Sequence, residues 1–317
     1  MAYLQAQINL ITSVIRVARP VHWVKNFALF AALIFTGNLF DRELFLRISW
    51  AFLAFSLATS ATYIFNDIRD AASDRLHPIK KDRPIAKGTL PVQVAWLELV
   101  FLAFSSLYLA QHLSNLFFLL VVTYLILQSA YSLVLKNISI IDILIIATGF
   151  ILRVYAGAFL IDAHLSVWFL LCVISIALFL ASGKRRAELG LVEEPGTTRK
   201  ALTHYPRELL SSYVTMFGNA AWMSWALFTF FESPRVATPV WLLLAELSRA
   251  PTINKLMMIT IPITIFGIMR YQLLIFEGRS ETPEKLLLTD LPLVTSVVLW
   301  VGAIVWILYS GVSVTRF

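Results

Sequence analysis

Apolar residues run through this chain in long blocks rather than in the short alternations of a soluble fold. Crossing the hydrocarbon core of a bilayer as a helix takes about 20 mostly apolar residues. Nine blocks approach or exceed that length: residues 24–40, 48–66, 93–111, 115–134, 139–161, 165–183, 209–231, 254–276 and 292–312. Only a short link at Lys136 and Asn137 separates the fourth from the fifth. Ahead of them, Leu4, Ile8, Ile11, Val14 and Ile15 recur at helical spacing. That spacing predicts an amphipathic helix over residues 1–20, lying in the membrane interface. Residues 21–317 then read as a single all-α domain of nine transmembrane helices.

Composition agrees. Of 317 residues, 59% are hydrophobic and 14% charged, against about 25% charged in a soluble domain. Charge sets the orientation. Most of the 26 Lys and Arg fall near the N-terminus and in the loops after spans two, four, six and eight. The positive-inside rule puts these in the cytoplasm of a bacterial inner (plasma) membrane, and the C-terminus outside. The same asymmetry, with anionic lipid, accounts for the net charge of +7 without nucleic acid. Cys172 has no second thiol to pair with and no metal-ligand neighbours.

Topology does not require acidic residues, yet the loop after span two carries Asp67, Asp70, Asp74 and Asp82. If the span's helix continues, Asn66, Asp70 and Asp74 fall at i, i+4 and i+8 and share one face, with Asp67 beside it. Oxygen-bearing side chains crowded on one face repel each other unless a cation joins them. Mg2+ suits such a face, because it takes one or two carboxylates plus substrate phosphates and keeps several waters. Asn66 and Asp70, one turn apart, suit a single ion as direct ligands. Asp67 and Asp74 complete the candidate catalytic face through water or through the local field. Lys80, Arg83 and Lys87 follow, placed to hold phosphate oxygens, with Arg83 offering a bidentate fork.

Other polar positions stand out against the apolar spans. Arg153 lies well inside span five, where a cation is a functional candidate by default. It is open to two readings: a pair with Asp142, three turns away, or a phosphate contact shared with Lys136 at the mouth of the bundle. Lys25, two residues after Trp23, reads as an interfacial anchor or a phosphate contact. Tyr63 precedes Asn66 by one turn on the same face, and either packs or donates to a substrate. At the end of span six, Lys184, Arg185 and Arg186 are consecutive cations followed by Glu188. No aspartate occurs between Asp162 and Asp290. Three adjacent basic residues suit phosphates directly, without a bridging metal; they also serve as a plain topology signal.

The pattern Asn66-Asp67-x-x-Asp70-x-x-x-Asp74, followed by His77-Pro78-x-Lys80-x-x-Arg83-Pro84-Ile85-Ala86-x-Gly88, resembles the first Asp-rich motif of the UbiA prenyltransferase superfamily. The resemblance implies a UbiA-type nine-helix bundle with a cytoplasm-facing site, in which this motif holds Mg2+ bound to a diphosphate. Most members carry a second Asp-rich motif after span six, where this chain has the 184–186 cations instead. With residues 19–26, 131–136, 149–153 and 277–285 plus Asp290, that replacement resembles the phosphoribosyltransferase branch of the superfamily. The branch implies phosphoribosyl pyrophosphate as donor and a polyprenyl (decaprenyl) phosphate lipid as acceptor. The product would be polyprenyl-phosphoryl-ribose 5-phosphate, a precursor for arabinan-type cell-envelope polymers, with pyrophosphate released. Lys25, Tyr63, Lys80, Arg83, Lys136, Arg153, Lys184, Arg185, Arg186 and Glu188 are then the substrate-binding candidates. Two alternatives remain: an ordinary prenyltransferase acting on an aromatic acceptor, and a transporter of anionic solutes. Whether the chain works alone or as a homo-oligomer is left open by the sequence.

Overall fold

The computed structural model describes residues 2–77, 80–190, 205–232, 253–278 and 283–309. Pro78 of the acidic motif, residues 279–282 and the last residues of the ninth predicted span lie outside them. Among the described residues all regular structure is helical. Helix α1 (Ala2–Ala18) leads into a 3-10 segment (Pro20–Leu29) and the short α2 (Phe30–Phe35). Then follow α3 (Arg42–Asp74), α4 (Pro84–Lys87), α5 (Val92–Leu113), α6 (Asn115–Leu133) and α7 (Ile141–Leu160). The chain continues through α8 (Val167–Gly190), α9 (Arg207–Phe231), α10 (Ile261–Phe276), α11 (Pro283–Thr289) and α12 (Leu291–Tyr309).

Among the described residues seven helices are long and apolar enough to cross a membrane: α3, α5, α6, α7, α8, α10 with its 3-10 lead-in, and α12. Helix α5 shows why lipid must surround them. Leu97, Phe101 and Phe104 form a stripe at i, i+4 and i+7 and are 72%, 69% and 70% exposed. So apolar a face is stable only against acyl chains or another protein. The protein is therefore an integral membrane protein. Helix α9 occupies the predicted 209–231 span and is 25 residues long. It is not among the seven, because Ser211, Ser212, Thr215 and Asn219 interrupt its apolar run.

The run at 24–40 departs from expectation. It does not form one α-helix; it is a 3-10 segment that passes into α2. Arg19 precedes it with a left-handed φ of 52°, and Pro20 opens it. The segment presses close to α7. A Cβ added to Gly157 would stand 2.0 Å from the Leu29 carbonyl oxygen, so only glycine permits this approach. Small residues at such contacts are how membrane helices gain packing energy where no hydrophobic effect drives them together.

The helices group into two compact units. The first contains α1, the 3-10 segment, most of α3, and α4–α7. One core of this unit joins Val17 of α1, Ile64 of α3, Ile85 of α4, and Leu90 and Ala95 at the start of α5. The N-terminal helix is thus docked through Val17, while Ile11 and Ile15 stay 61% and 58% exposed on the face expected to meet the interface. The second unit contains α2 and α8–α12. There Phe179 of α8, Val214 and Ala221 of α9, Ile268 and Tyr271 of α10, and Leu293 of α12 form the core. Asp290, part of the resemblance, takes a structural role in this unit. It accepts from Arg270 at 3.0 and 2.7 Å and caps α12 through the Leu293 N–H at 3.0 Å.

Candidate active site

Helix α3 has 33 residues, about 50 Å at 1.5 Å per residue. That exceeds a hydrocarbon core of about 30 Å, so the helix has length to carry its acidic end clear of lipid. The continuation past Asn66 that the motif spacing demands is therefore present. A polar seam climbs this helix at three- and four-residue steps: Ser56, Ser60, Tyr63, Asp67, Asp70 and Asp74. Thr59 and Asn66 flank it.

The 3-10 segment zips onto the lower half of the seam. Asn26 donates to Ser56 at 2.9 Å, Trp23 Nε1 donates to Ser60 at 3.0 Å, and Lys25 Nζ donates to Tyr63 at 3.1 Å. Tyr63 also lies under the Arg19 guanidinium, 5.0 Å from its ring centre. These bonds give the physical reason that the first apolar run is not a plain spanning helix. Its polar side chains are committed to α3.

The upper half of the seam holds the carboxylates, and the protein supplies their countercharges. Asp67 is 2% exposed. Arg19 Nη2 donates to it at 2.6 and 2.8 Å, and Arg83 Nη1 at 3.1 Å. The same Arg83 nitrogen donates to Asp74 at 2.6 Å. Asp70 is less enclosed; it accepts from Asn66 Nδ2 at 3.1 Å and from Lys136 Nζ at 2.5 Å. Arg83 is delivered by a tight return of the chain. Arg75 Nε holds the Ala86 carbonyl at 3.2 Å, and Gly88 ends α4 at φ 81°, a conformation open to glycine. His77 structures this loop, since its Nδ1 accepts the Lys80 N–H at 3.3 Å.

Two expectations take a different form here. Crowded acidic side chains were expected to need a metal to offset their repulsion; Arg19, Arg83 and Lys136 already do this. Arg83 was expected to face phosphates, yet its Nη1 bridges two carboxylates. Its Nη2 and Nε make no protein hydrogen bond among the described residues, so the outer edge of the guanidinium remains open to an anion.

Arg153 is 4% exposed and sits in a cage. It donates to Asn26 Oδ1 at 2.6 Å, to Thr59 at 3.2 Å, to the Tyr124 hydroxyl at 2.9 Å, and to the Gly149 carbonyl. Its guanidinium lies 4.8 Å from the Tyr124 ring centre. The pair with Asp142 does not form. Asp142 accepts instead from the Tyr205 hydroxyl at 2.8 Å, and that hydroxyl also receives the Ile140 N–H. Four of the five Arg153 donors are thereby spent, which makes it first a holder of Asn26 and the 3-10 segment.

The first unit thus brings together Lys25, Tyr63, Asn66, Asp67, Asp70, Asp74, Arg83, Lys136 and Arg153. Lys80 is half-buried on the return loop. The other candidates belong to the second unit, at the C-terminal end of α8. Arg185 has no exposed side-chain surface and pairs with Glu188 one turn on. Arg186 donates to Ser211 at 2.9 Å and lies 5.2 Å from the Phe276 ring centre. Lys184 is half-buried. Sequence reasoning missed the roles of Arg19, Asn26, Thr59 and Tyr124. Asn26 carried a usable signal, a lone amide inside an apolar run. Arg19 did not, because its reach to Asp67 depends on the left-handed turn.

The donor set fits one Mg2+. Asn66 Oδ1 is free of protein partners among the described residues, and it stands one turn from the half-exposed Asp70 carboxylate. Among those residues no group of three or more His, Cys, Asp or Glu could form a closed metal cage. An ion held by Asn66 and Asp70 would therefore have to take most of its shell from phosphate and water.

Known proteins match this chain along most of its length. The UbiA prenyltransferase family model matches residues 26–183. A decaprenyl-phosphate phosphoribosyltransferase of Mycolicibacterium smegmatis is 34% identical over 301 residues, covering 93% of this chain and 92% of the relative. The protein of the same name from Corynebacterium glutamicum is 35% identical over 307 residues, covering 95% and 88%. Among solved structures, a UbiA homologue from Archaeoglobus fulgidus bound to GPP and Mg2+ superposes with a TM-score of 0.65. It is 19% identical and covers 93% of this chain and 99% of its own. The fold, the acidic motif and relatives matched nearly end to end agree: this chain belongs to the UbiA prenyltransferase family.

Proposed function

We propose that the protein transfers 5-phosphoribose from phosphoribosyl pyrophosphate to a polyprenyl phosphate such as decaprenyl phosphate, releasing pyrophosphate. One observation carries the reading. The first unit holds an Asn66/Asp70 oxygen pair beside the cations Lys136 and Arg83, and at the end of α8 the chain has cations where most of the superfamily has a second acidic motif. The relatives that match over more than nine-tenths of this chain carry the name of that activity, which supports it.

Asn66 and Asp70 would hold one Mg2+, which when bound would draw charge from the departing diphosphate. With Asp70 held as a metal ligand, Lys136 Nζ would be released from it and would be placed to donate to a phosphate oxygen. The open edge of Arg83, with Lys80 and Lys25, takes further oxygens. Arg19 and Asp67 fix Arg83 in place rather than touching substrate. The acceptor is already an anion, so no side chain removes a proton. Its phosphate oxygen forms a bond to the anomeric carbon, and the bond from that carbon to pyrophosphate breaks with its electron pair going to the leaving group. Holding donor and acceptor together supplies orientation. We place the motif loops and the N-terminal end on the cytoplasmic face of a bacterial plasma membrane, and count the 3-10 segment with α2, and α9, as the remaining two of nine crossings.

The test is Asp70→Ala in purified, lipid-reconstituted protein with Mg2+. Transfer is expected to disappear while the unfolding temperature stays near wild type. Turnover at the wild-type rate would overturn the assignment. A transfer of prenyl groups to an aromatic acceptor would favour the ordinary prenyltransferase instead.

A further inference from the structure

Arg186 is 6% exposed, yet it is poorly used by the protein. Its Nε donates to Ser211, and its flat face rests on Phe276. Among the described residues its two terminal nitrogens make no hydrogen bond, so four N–H donors of a buried cation stay open. These two nitrogens are not themselves sealed from solvent, so water or a ligand can reach them. The donors line an open groove of about 740 Å3 in the second unit.

The rest of the groove has matching chemistry. Arg207, at the start of α9, adds a second cation, and Glu208 is the one carboxylate among the lining residues. One turn and three turns along α9, Ser212 and Asn219 line the same groove. Both are exposed, and neither spends its side chain on a protein hydrogen bond among the described residues. Two guanidinium forks match the geometry of a phosphate group. A hydroxyl and an amide beside them match sugar hydroxyls or water. The volume falls in the range of small-molecule sites, about 300–1,000 Å3, and exceeds what a bare ion needs.

We propose that this groove binds a phosphomonoester, clamped by Arg186 and Arg207, with Ser212 and Asn219 beside the group that carries it. Two compounds of the proposed reaction have that chemistry: the ribose 5-phosphate end of the donor and the head of the polyprenyl phosphate. The site rests on the transferase reading only for this choice of probes.

The experiment uses the full chain in phosphatidylcholine nanodiscs. Calorimetry measures binding of ribose 5-phosphate, and native mass spectrometry measures retention of polyprenyl phosphate doped into the discs. Arg207→Gln and Asn219→Leu alter exposed positions and are expected to fold. Arg186→Gln removes a buried side chain and is read only if its unfolding temperature is retained. Arg207→Gln should weaken one of the two probes about tenfold or more, the effect of losing a charged hydrogen-bonding partner. Asp70→Ala should leave that binding unchanged. Weakening of ribose 5-phosphate makes the groove the donor's; weakening of the lipid alone makes it the acceptor's. If Arg207→Gln spares both probes, the groove is not the site. If Asp70→Ala abolishes ribose 5-phosphate binding while Arg207→Gln spares it, the phosphomonoester belongs to the first unit. Either result overturns the groove and leaves the transfer reaction standing.

Discussion

Lys136→Met should separate metal binding from turnover. Lys136 Nζ lies 2.5 Å from Asp70 Oδ1, with side-chain exposures of 11% for the lysine and 21% for the aspartate. A Mg2+ ion that uses Asp70 must first displace this ammonium, and it then approaches against a nearby positive charge. Both effects disappear in Lys136→Met, which keeps the unbranched apolar stem and drops the ammonium. A pair this enclosed is worth at least about 1 kcal/mol, so Mg2+ or Mn2+ should bind at least about fivefold more tightly. Turnover should move the other way. Losing one positioned donor to the leaving diphosphate lowers kcat by about a hundredfold or more. Paramagnetic titration with Mn2+ gives the affinity, and transfer of labelled ribose phosphate gives kcat. Unchanged or weaker metal binding would show that Asp70 is not the ligand, or that Lys136 does not compete for it, and the reasoning would fail.

Three further outcomes follow from the packing around the seam. Asp67→Asn leaves Arg19 and Arg83 facing each other over a buried amide. Breaking a buried pair costs about 3–5 kcal/mol, and the arginines' partial exposure lowers this to about 2–3 kcal/mol; unfolding in detergent should register the loss, and a wild-type midpoint would contradict the ion-pair account. Gly157→Ala drives a methyl into the Leu29 carbonyl and should destabilise the protein by about 1–3 kcal/mol, with the same assay showing no change if the contact is loose. Tyr205→Phe removes the hydroxyl that ties Ile140, held at φ 71°, to Asp142. Since Ile140 ends the loop that carries Lys136, kcat should fall while the fold survives, and unaltered kcat would free Lys136 from that support.

Much of this was legible in the sequence, for physical reasons that can be named. Block length revealed the long helices, because a bilayer imposes one length on all of them. The i, i+4, i+8 spacing of Asn66, Asp70 and Asp74 placed them on one face, and a continuous α3 carries them there. What stayed hidden depends on contacts between distant segments. Nothing local says that Arg19 reaches Asp67, forty-eight positions away, or that Tyr205 rather than Arg153 meets Asp142. The 3-10 form of residues 20–29 also eluded the apolar count. Hydropathy registers Val21, Phe27 and Leu29, but not that Trp23, Lys25 and Asn26 are bonded to α3. In the 184–186 run, three like charges in sequence hide three different surroundings: Lys184 is half-buried, Arg185 is turned inward to Glu188, and Arg186 faces a groove on α9.

The central claim concerns which group moves, and one incubation reads it directly. Purified protein with Mg2+, polyprenyl phosphate and phosphoribosyl pyrophosphate labelled in the ribose should send the label into the lipid phase, as a product with the mass of polyprenyl-phosphoryl-ribose 5-phosphate. Label that stays in the aqueous phase, while prenyl diphosphate alkylates an aromatic acceptor in a parallel reaction, would contradict the account.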